Sequence, residues 1–218
     1  MTEQEIEALL AEAISAYRQI PTNLKVDTAI EALTGFAVIP LDLTSDDANL
    51  LSQICSAAEL LVERSAVNPI ETGRLNELGN NIEEPLLKAC KDVGLEATWP
   101  KRVDGTGGRS GYPDIAIDID GQQPTYLEAK VIGAGSEGST FRSFYLSPSE
   151  NPKVCVNARH LLVAFVHKRQ ANSSTGRERY SLISYKIVDL ARVRGKIKFE
   201  YQSNNKNMYL KDAVVASG

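Results

Sequence analysis

The chain is predicted to fold as an α/β domain, a mixed sheet built around residues 112–131 and flanked by helices, with an acidic helical region ahead of it. Three observations predict this. Residues 3–20 and 48–64 repeat apolar side chains every three or four positions, the period of a helix with one buried face. Ile115, Ile117 and Ile119 alternate with Asp114, Ala116 and Asp118, the period of two of a half-buried strand. Leu161 to Val166 is an almost unbroken apolar run, as a central strand covered on both faces requires.

The N-terminal helix carries Ile6, Leu9, Leu10, Ala13, Ile14 and Tyr17 on one side and glutamates opposite, and Pro21 closes it. Residues 27–33 form a second helix ending near Gly35, and 36–43 an extended piece broken by Pro40. Thr44-Ser45-Asp46-Asp47 is a helix start for the segment 48–64. These helices carry no chemistry and are expected to serve as scaffold or dimer contacts. Residues 71–93 read as mostly helical, with Pro85 either starting a new helix near Asn81 or kinking the one it interrupts. Residues 95–100 are the first sheet strand, and 101–111 a glycine-rich lead-in loop carrying Lys101, Arg102 and Arg109. Its glycines let backbone approach a ligand closely, but the order of a phosphate-cradling Walker loop is absent, which removes support for nucleotide hydrolysis.

The central hairpin follows. Asp120-Gly121 supplies a turn, and the returning strand puts Leu127, Ala129 and Val131 on one face and Tyr126, Glu128 and Lys130 on the other. Residues 133–152 form a long polar loop with Arg142, Phe144 and Tyr145 embedded in it. Strands at 161–166 and 181–188 come next. Residues 192–201 and 207–210 are predicted to close the chain as a hairpin, with Arg194, Lys196 and Lys198 along one side. The expected organisation is a single domain over 1–218: a helical N-terminal region (1–70), a catalytic core (71–190) and the C-terminal hairpin (191–218).

Charge is divided unevenly. Residues 1–98 hold 6 Lys and Arg against 17 Asp and Glu, a balance of −11, whereas residues 99–218 hold 18 against 11, a balance of +7. The half that contains the hairpin is therefore the half suited to a polyanion. No run approaches membrane-spanning length, and residues 1–20 lack the basic start and apolar core of an export signal. Cys55, Cys90 and Cys155 are widely spaced and odd in number, matching neither a zinc site nor a disulfide framework. A soluble, cytoplasmic protein with reduced thiols is expected. His160 and His167 flank the apolar strand without a nucleophile pattern nearby, so they are read as structural or polyanion-contacting rather than as part of a hydrolase triad.

If the hairpin pairs as written, Asp114 lies near Glu128 and Lys130, giving two carboxylates and one ammonium at one end of a sheet. Hard divalent cations such as Mg²⁺ take oxygen ligands and keep several waters, so two carboxylates are sufficient protein ligation. Such an ion polarises a phosphate, and a neighbouring lysine can orient and help deprotonate an attacking water.

Pro113-Asp114, followed fourteen positions later by Glu128-Ala129-Lys130, resembles the signature of the PD-(D/E)XK nuclease superfamily, and within it type II restriction endonucleases. The segment 79–94 is similar to the helix that precedes the motif strands there, in which one glutamate points into the active site; Glu83 is the best match, with Glu77 and Glu84 as alternates. The resemblance covers roughly residues 71–190. It implies a restriction-endonuclease-like fold and Mg²⁺-dependent hydrolysis of double-stranded DNA to 5′-phosphate ends. Asp114 and Glu128 would bind metal, Lys130 would position or activate water, and Glu83 would add a further ligand or support one. Lys101, Arg102, Arg109, Arg142, Lys153 and Arg159 are the cations expected to meet DNA. Cutting both strands of a palindrome implies a homodimer, and a restriction system implies a cognate DNA methyltransferase. A junction resolvase of the same superfamily and a non-catalytic DNA-binding module are the other readings that these residues allow.

Overall fold

A computed structural model describes residues 1–118, 124–136, 138, 146–174, 176–200 and 203–216. In chain order the elements are α1 (Glu3–Gln19), β1 (Leu24–Lys25), α2 (Val26–Thr34), α3 (Asp47–Val67), β2 (Ile70–Thr72), α4 (Leu78–Asp92), β3 (Glu96–Thr98), β4 (Ile115–Asp118), β5 (Thr125–Gly133), β6 (Arg159–Arg169), β7 (Glu178–Asp189), β8 (Arg194–Gly195) and α5 (Asn205–Met208). They fall into two compact units, one of residues 25–194 and one of residues 1–24 with 195–218.

The larger unit holds a six-stranded mixed sheet in the order β2-β7-β6-β5-β4-β3. β4 and β5 are antiparallel with Ile115 opposite Leu127, and β5 runs parallel to β6 with Leu127 opposite Leu161. This register gathers one parity of side chains into the core. Ile115, Ile117, Leu127 and Leu161 all point into a layer closed by α3 and α4, where Ile54 and Ile82 are fully buried. Each such side chain contributes about 1.5–3 kcal/mol of burial, so the opposite parity is free to carry polar groups. β6 is the buried central strand that its apolar run predicts, although it reaches further, from Arg159 to Arg169.

Two stretches differ from the sequence reading. Residues 70–77 are not helical: Ile70–Thr72 adds an edge strand to β7, and Leu75–Glu77 is a 3₁₀ turn. Thr72 is fully buried and its hydroxyl donates to Arg74 O (2.7 Å), a local bond that competes with helix. α4 then runs through Pro85 with Asn81 and Pro85 on its half-exposed side, and Leu86 and Leu87 beyond them buried. The C-terminal hairpin is also absent from the described residues. β8 pairs with β1, and Asn205–Met208 is a short helix that starts at Asn204, whose side chain accepts from Asn207 N–H (2.9 Å). Asparagine in that position caps a helix start.

In the smaller unit, Thr2 and Glu5 form a reciprocal capping box at the start of α1, and Tyr17 O–H donates to Ile197 O (2.7 Å). α1 is amphipathic as read, but none of its residues is buried within the chain. The turn expected at Asp120-Gly121 and the end of its strand at Ile119 lie outside the described residues.

Candidate active site

Asp114 stands immediately before β4, and its N–H donates to Leu127 O (3.1 Å). With Ile115 paired to Leu127 and facing the core, the side chain at 114 must leave the opposite face, as must those of Glu128 and Lys130. Asp114 Oδ2 accepts the N–H of Ala129 (2.8 Å). The carboxylate thus rests on the backbone N–H of the residue that separates Glu128 from Lys130. Lys130 Nζ donates to Glu128 Oε1. The other oxygen, Glu128 Oε2, is buried, and among the described residues no donor reaches it.

The electrostatics follow from this packing. Burial pushes the Glu128 carboxyl up to about 7, with the neighbouring Asp114 carboxylate adding to the rise and Lys130 opposing it. Burial also raises Asp114, against the Ala129 N–H and the charges of Lys130 and Lys153. Two adjacent carboxyls, both disfavoured as anions and one with an orphaned oxygen, are a site that lacks positive charge. Among the described residues no three His, Cys, Asp or Glu side chains converge into a closed metal cage. The pair nevertheless fits a hard divalent cation that retains water and takes its remaining oxygens from substrate.

Glu83 is presented by α4 and is also buried. Burial and the charge of Asp114 raise its carboxyl, while Arg109 and Lys153 lower it. Arg109 lies 3.6 Å from Glu83 Oε2 and 3.5 Å from Glu84 Oε2, donates to Asn80 O, and stacks its guanidinium 4.8 Å above the ring of Trp99. Of the three candidate acids only Glu83 is buried, and the charge of Asp114 acts on it. Glu84 is solvent-exposed, and Glu77 reaches back to Thr72.

The remaining expected site residues separate by environment. Lys101 is exposed and Arg102 half-buried, its guanidinium donating to Asn151 O (3.0 Å) and Ser110 O (3.3 Å). Arg142, with Phe144 and Tyr145, lies outside the described residues. Two of these cations have partners inside the protein. Lys153 is 2% exposed, and its ammonium donates to Arg109 O (3.3 Å), Gly111 O (2.7 Å) and Pro113 O (2.9 Å), which uses all three N–H groups and leaves none for a phosphate. Arg159 pairs with the buried Asp47 at 2.6 Å. Both cations satisfy the interior. His160 is fully buried, its Nδ1 against the Tyr112 hydroxyl, and burial pushes it down to about 4. Tyr112, next to the motif proline, went unnoticed in the sequence. Its hydroxyl is raised by burial and by Glu128 and Asp114, and no local pattern marks it.

A mixed sheet flanked by helices, with a buried acid pair at the head of its central hairpin, defines a restriction-endonuclease-like α/β fold. Comparison with known proteins is more specific. The model of the type II restriction enzyme MjaV family matches residues 21–212, and the chain belongs to that family. A type II restriction enzyme, MjaV from Methanocaldococcus jannaschii, is 29% identical over 228 residues, covering 97% of this chain and 94% of that enzyme. The chain is thereby an enzyme of the type II site-specific deoxyribonuclease class. No solved structure matches it. Among the described residues no helix is long and apolar enough to cross a membrane.

Proposed function

We propose that the chain hydrolyses phosphodiester bonds of double-stranded DNA at a specific sequence, using Mg²⁺ held by Asp114 and Glu128, and that it is a PD-(D/E)XK nuclease. One observation carries the reading: the Asp114 carboxylate seated on Ala129 N–H, between the side chains of Glu128 and Lys130. When bound, a divalent cation supplies the charge that offsets negative charge developing on the phosphate and favours ionisation of water. The chain's own groups do the rest. Asp114 and Glu128 present oxygens from adjacent strands. Lys130, a quarter exposed at the rim, orients the attacking water in line with the phosphorus and holds a proton near it. Glu83 supports the acid pair from α4, and the exposed Arg109 and Lys101 meet the strand being cut. Products carry 5′-phosphate and 3′-hydroxyl ends. Cutting both strands requires two such sites related by a two-fold axis, hence a homodimer, and a methyltransferase of the same specificity protects host DNA.

Digestion of a sequenced plasmid tests this. Wild type with Mg²⁺ gives discrete bands, EDTA abolishes them, and Asp114→Ala and Lys130→Ala lower the rate by about 10²–10⁴. Variants that cut as fast as wild type refute the assignment. An uncut linear plasmid alongside cleaved branched DNA indicates a resolvase instead, and DNA binding without any cleavage indicates a binding module.

A further inference from the structure

Lys153 is a buried ammonium that the reaction as described does not use. It is 2% exposed, its three donors converge on the carbonyls of Arg109, Gly111 and Pro113, and among the described residues no carboxylate contacts it directly. An apolar side chain of similar length would enter such a position without the desolvation cost of a charge. The carbonyls it gathers belong to the last turn of chain before Asp114, where Gly111 adopts φ +84°. Pro113 O is the oxygen of the peptide whose N–H belongs to Asp114. That N–H is fixed on Leu127 O at 3.1 Å, and Lys153 holds the oxygen at 2.9 Å. The peptide that orients the Asp114 side chain is therefore clamped from both ends, by the hairpin on one side and by Lys153 on the other.

The clamp is itself anchored. Asn151 bonds Asp104 twice, Oδ1 accepting Asp104 N–H (3.2 Å) and Nδ2 donating to Asp104 Oδ2 (2.7 Å), and Pro152 O accepts Val103 N–H (3.2 Å). Residues 151–153 thus staple the whole lead-in loop from 103 to 113 against the head of the hairpin. We propose that Lys153 is a positioning residue for the metal site: it sets the Asp114 carboxylate where it can share an ion with Glu128. This rests on the reading of Asp114 as a metal ligand.

Calorimetric titration of the full chain with Ca²⁺, alongside the Mg²⁺ dependence of plasmid cleavage, tests the proposal. Lys153→Met is expected to weaken Ca²⁺ binding about tenfold and to raise the Mg²⁺ concentration for half-maximal cleavage by the same factor, with KM for DNA unchanged. Lys153→Arg keeps the charge but cannot aim three N–H groups at three converging carbonyls, so it shifts in the same direction. Val154→Ala, which thins the adjacent buried packing, lowers stability and leaves Ca²⁺ affinity as in wild type. Folded Lys153→Met with wild-type Ca²⁺ affinity overturns the proposal. Should that variant not fold, wild-type affinity in Lys153→Arg overturns it equally. Failure of the underlying reading looks different: Asp114→Ala then binds Ca²⁺ as tightly as wild type.

Discussion

Replacing Glu128 by glutamine removes one buried charge and keeps the shape of the side chain. In the metal-free protein the carboxyl at 128 titrates at about 7 against an ordinary value of 4.5. As pH rises past 4.5 the unfolded chain releases this proton while the folded chain retains it, so stability falls between pH 4.5 and 7 and is level above. Each pH unit of that gap is worth about 1.4 kcal/mol, so Glu128 costs about 3 kcal/mol at pH 8. Glutamine has no proton to lose. Its advantage is nil near pH 4.5 and complete above pH 7, and for a unit of this size it corresponds to a rise in Tm of roughly 6–12 °C. Thermal denaturation in EDTA at pH 5 and pH 8 measures it. Addition of Ca²⁺ should reverse the order, since only the wild type offers two carboxylates to the ion and gains stability from binding it. Equal Tm values at pH 8, or a difference that is the same at both pH values, would show that burial does not hold the Glu128 carboxyl above its ordinary value.

Other perturbations have equally definite outcomes. Ile117→Ala opens a cavity beneath the hairpin and should cost about 2–5 kcal/mol in urea denaturation. Arg109→Ala should cost about 1 kcal/mol or less, because its ion pairs are half-exposed. It also uncovers the sole tryptophan, Trp99, whose emission should shift as the stacked guanidinium is lost. Arg159→Met strands the buried Asp47 and should destabilise by about 3–5 kcal/mol, while Arg159→Met with Asp47→Leu recovers most of that loss. DNA affinity of the folded protein, measured by gel shift in Ca²⁺, should be unchanged in the double variant; a marked fall would return Arg159 to the DNA interface.

The candidate site is legible in the sequence because it is local. Period-two alternation through Ile115 and Ile117, and again through Leu127, Ala129 and Val131, settles which face each strand buries. Asp114, Glu128 and Lys130 then have no choice but to leave together. The same holds for α3 and β6, whose apolar patterns are long enough to dominate. Edges read less well. β2 is three residues of marginal propensity, and it is a strand because β7 offers it a partner far along the chain. The end of the chain alternates cations with Val193, Ile197 and Phe199 as a strand would, but the Asn204 side chain accepts Asn207 N–H and starts a helix there instead.

What the sequence determined by itself is the hairpin, its acid pair and the basic half around it, all properties of spacing and composition. What only the tertiary structure decided is the direction of the cations. Lys153 and Arg159 look in the sequence like any lysine or arginine bound for a phosphate. Their partners are three backbone carbonyls, which every sequence supplies, and an aspartate on a distant helix, which only the folded chain brings near. A side chain's periodicity tells which face it leaves, but whether water, DNA or the protein's own carbonyls wait there is a matter of what the rest of the chain has packed against it.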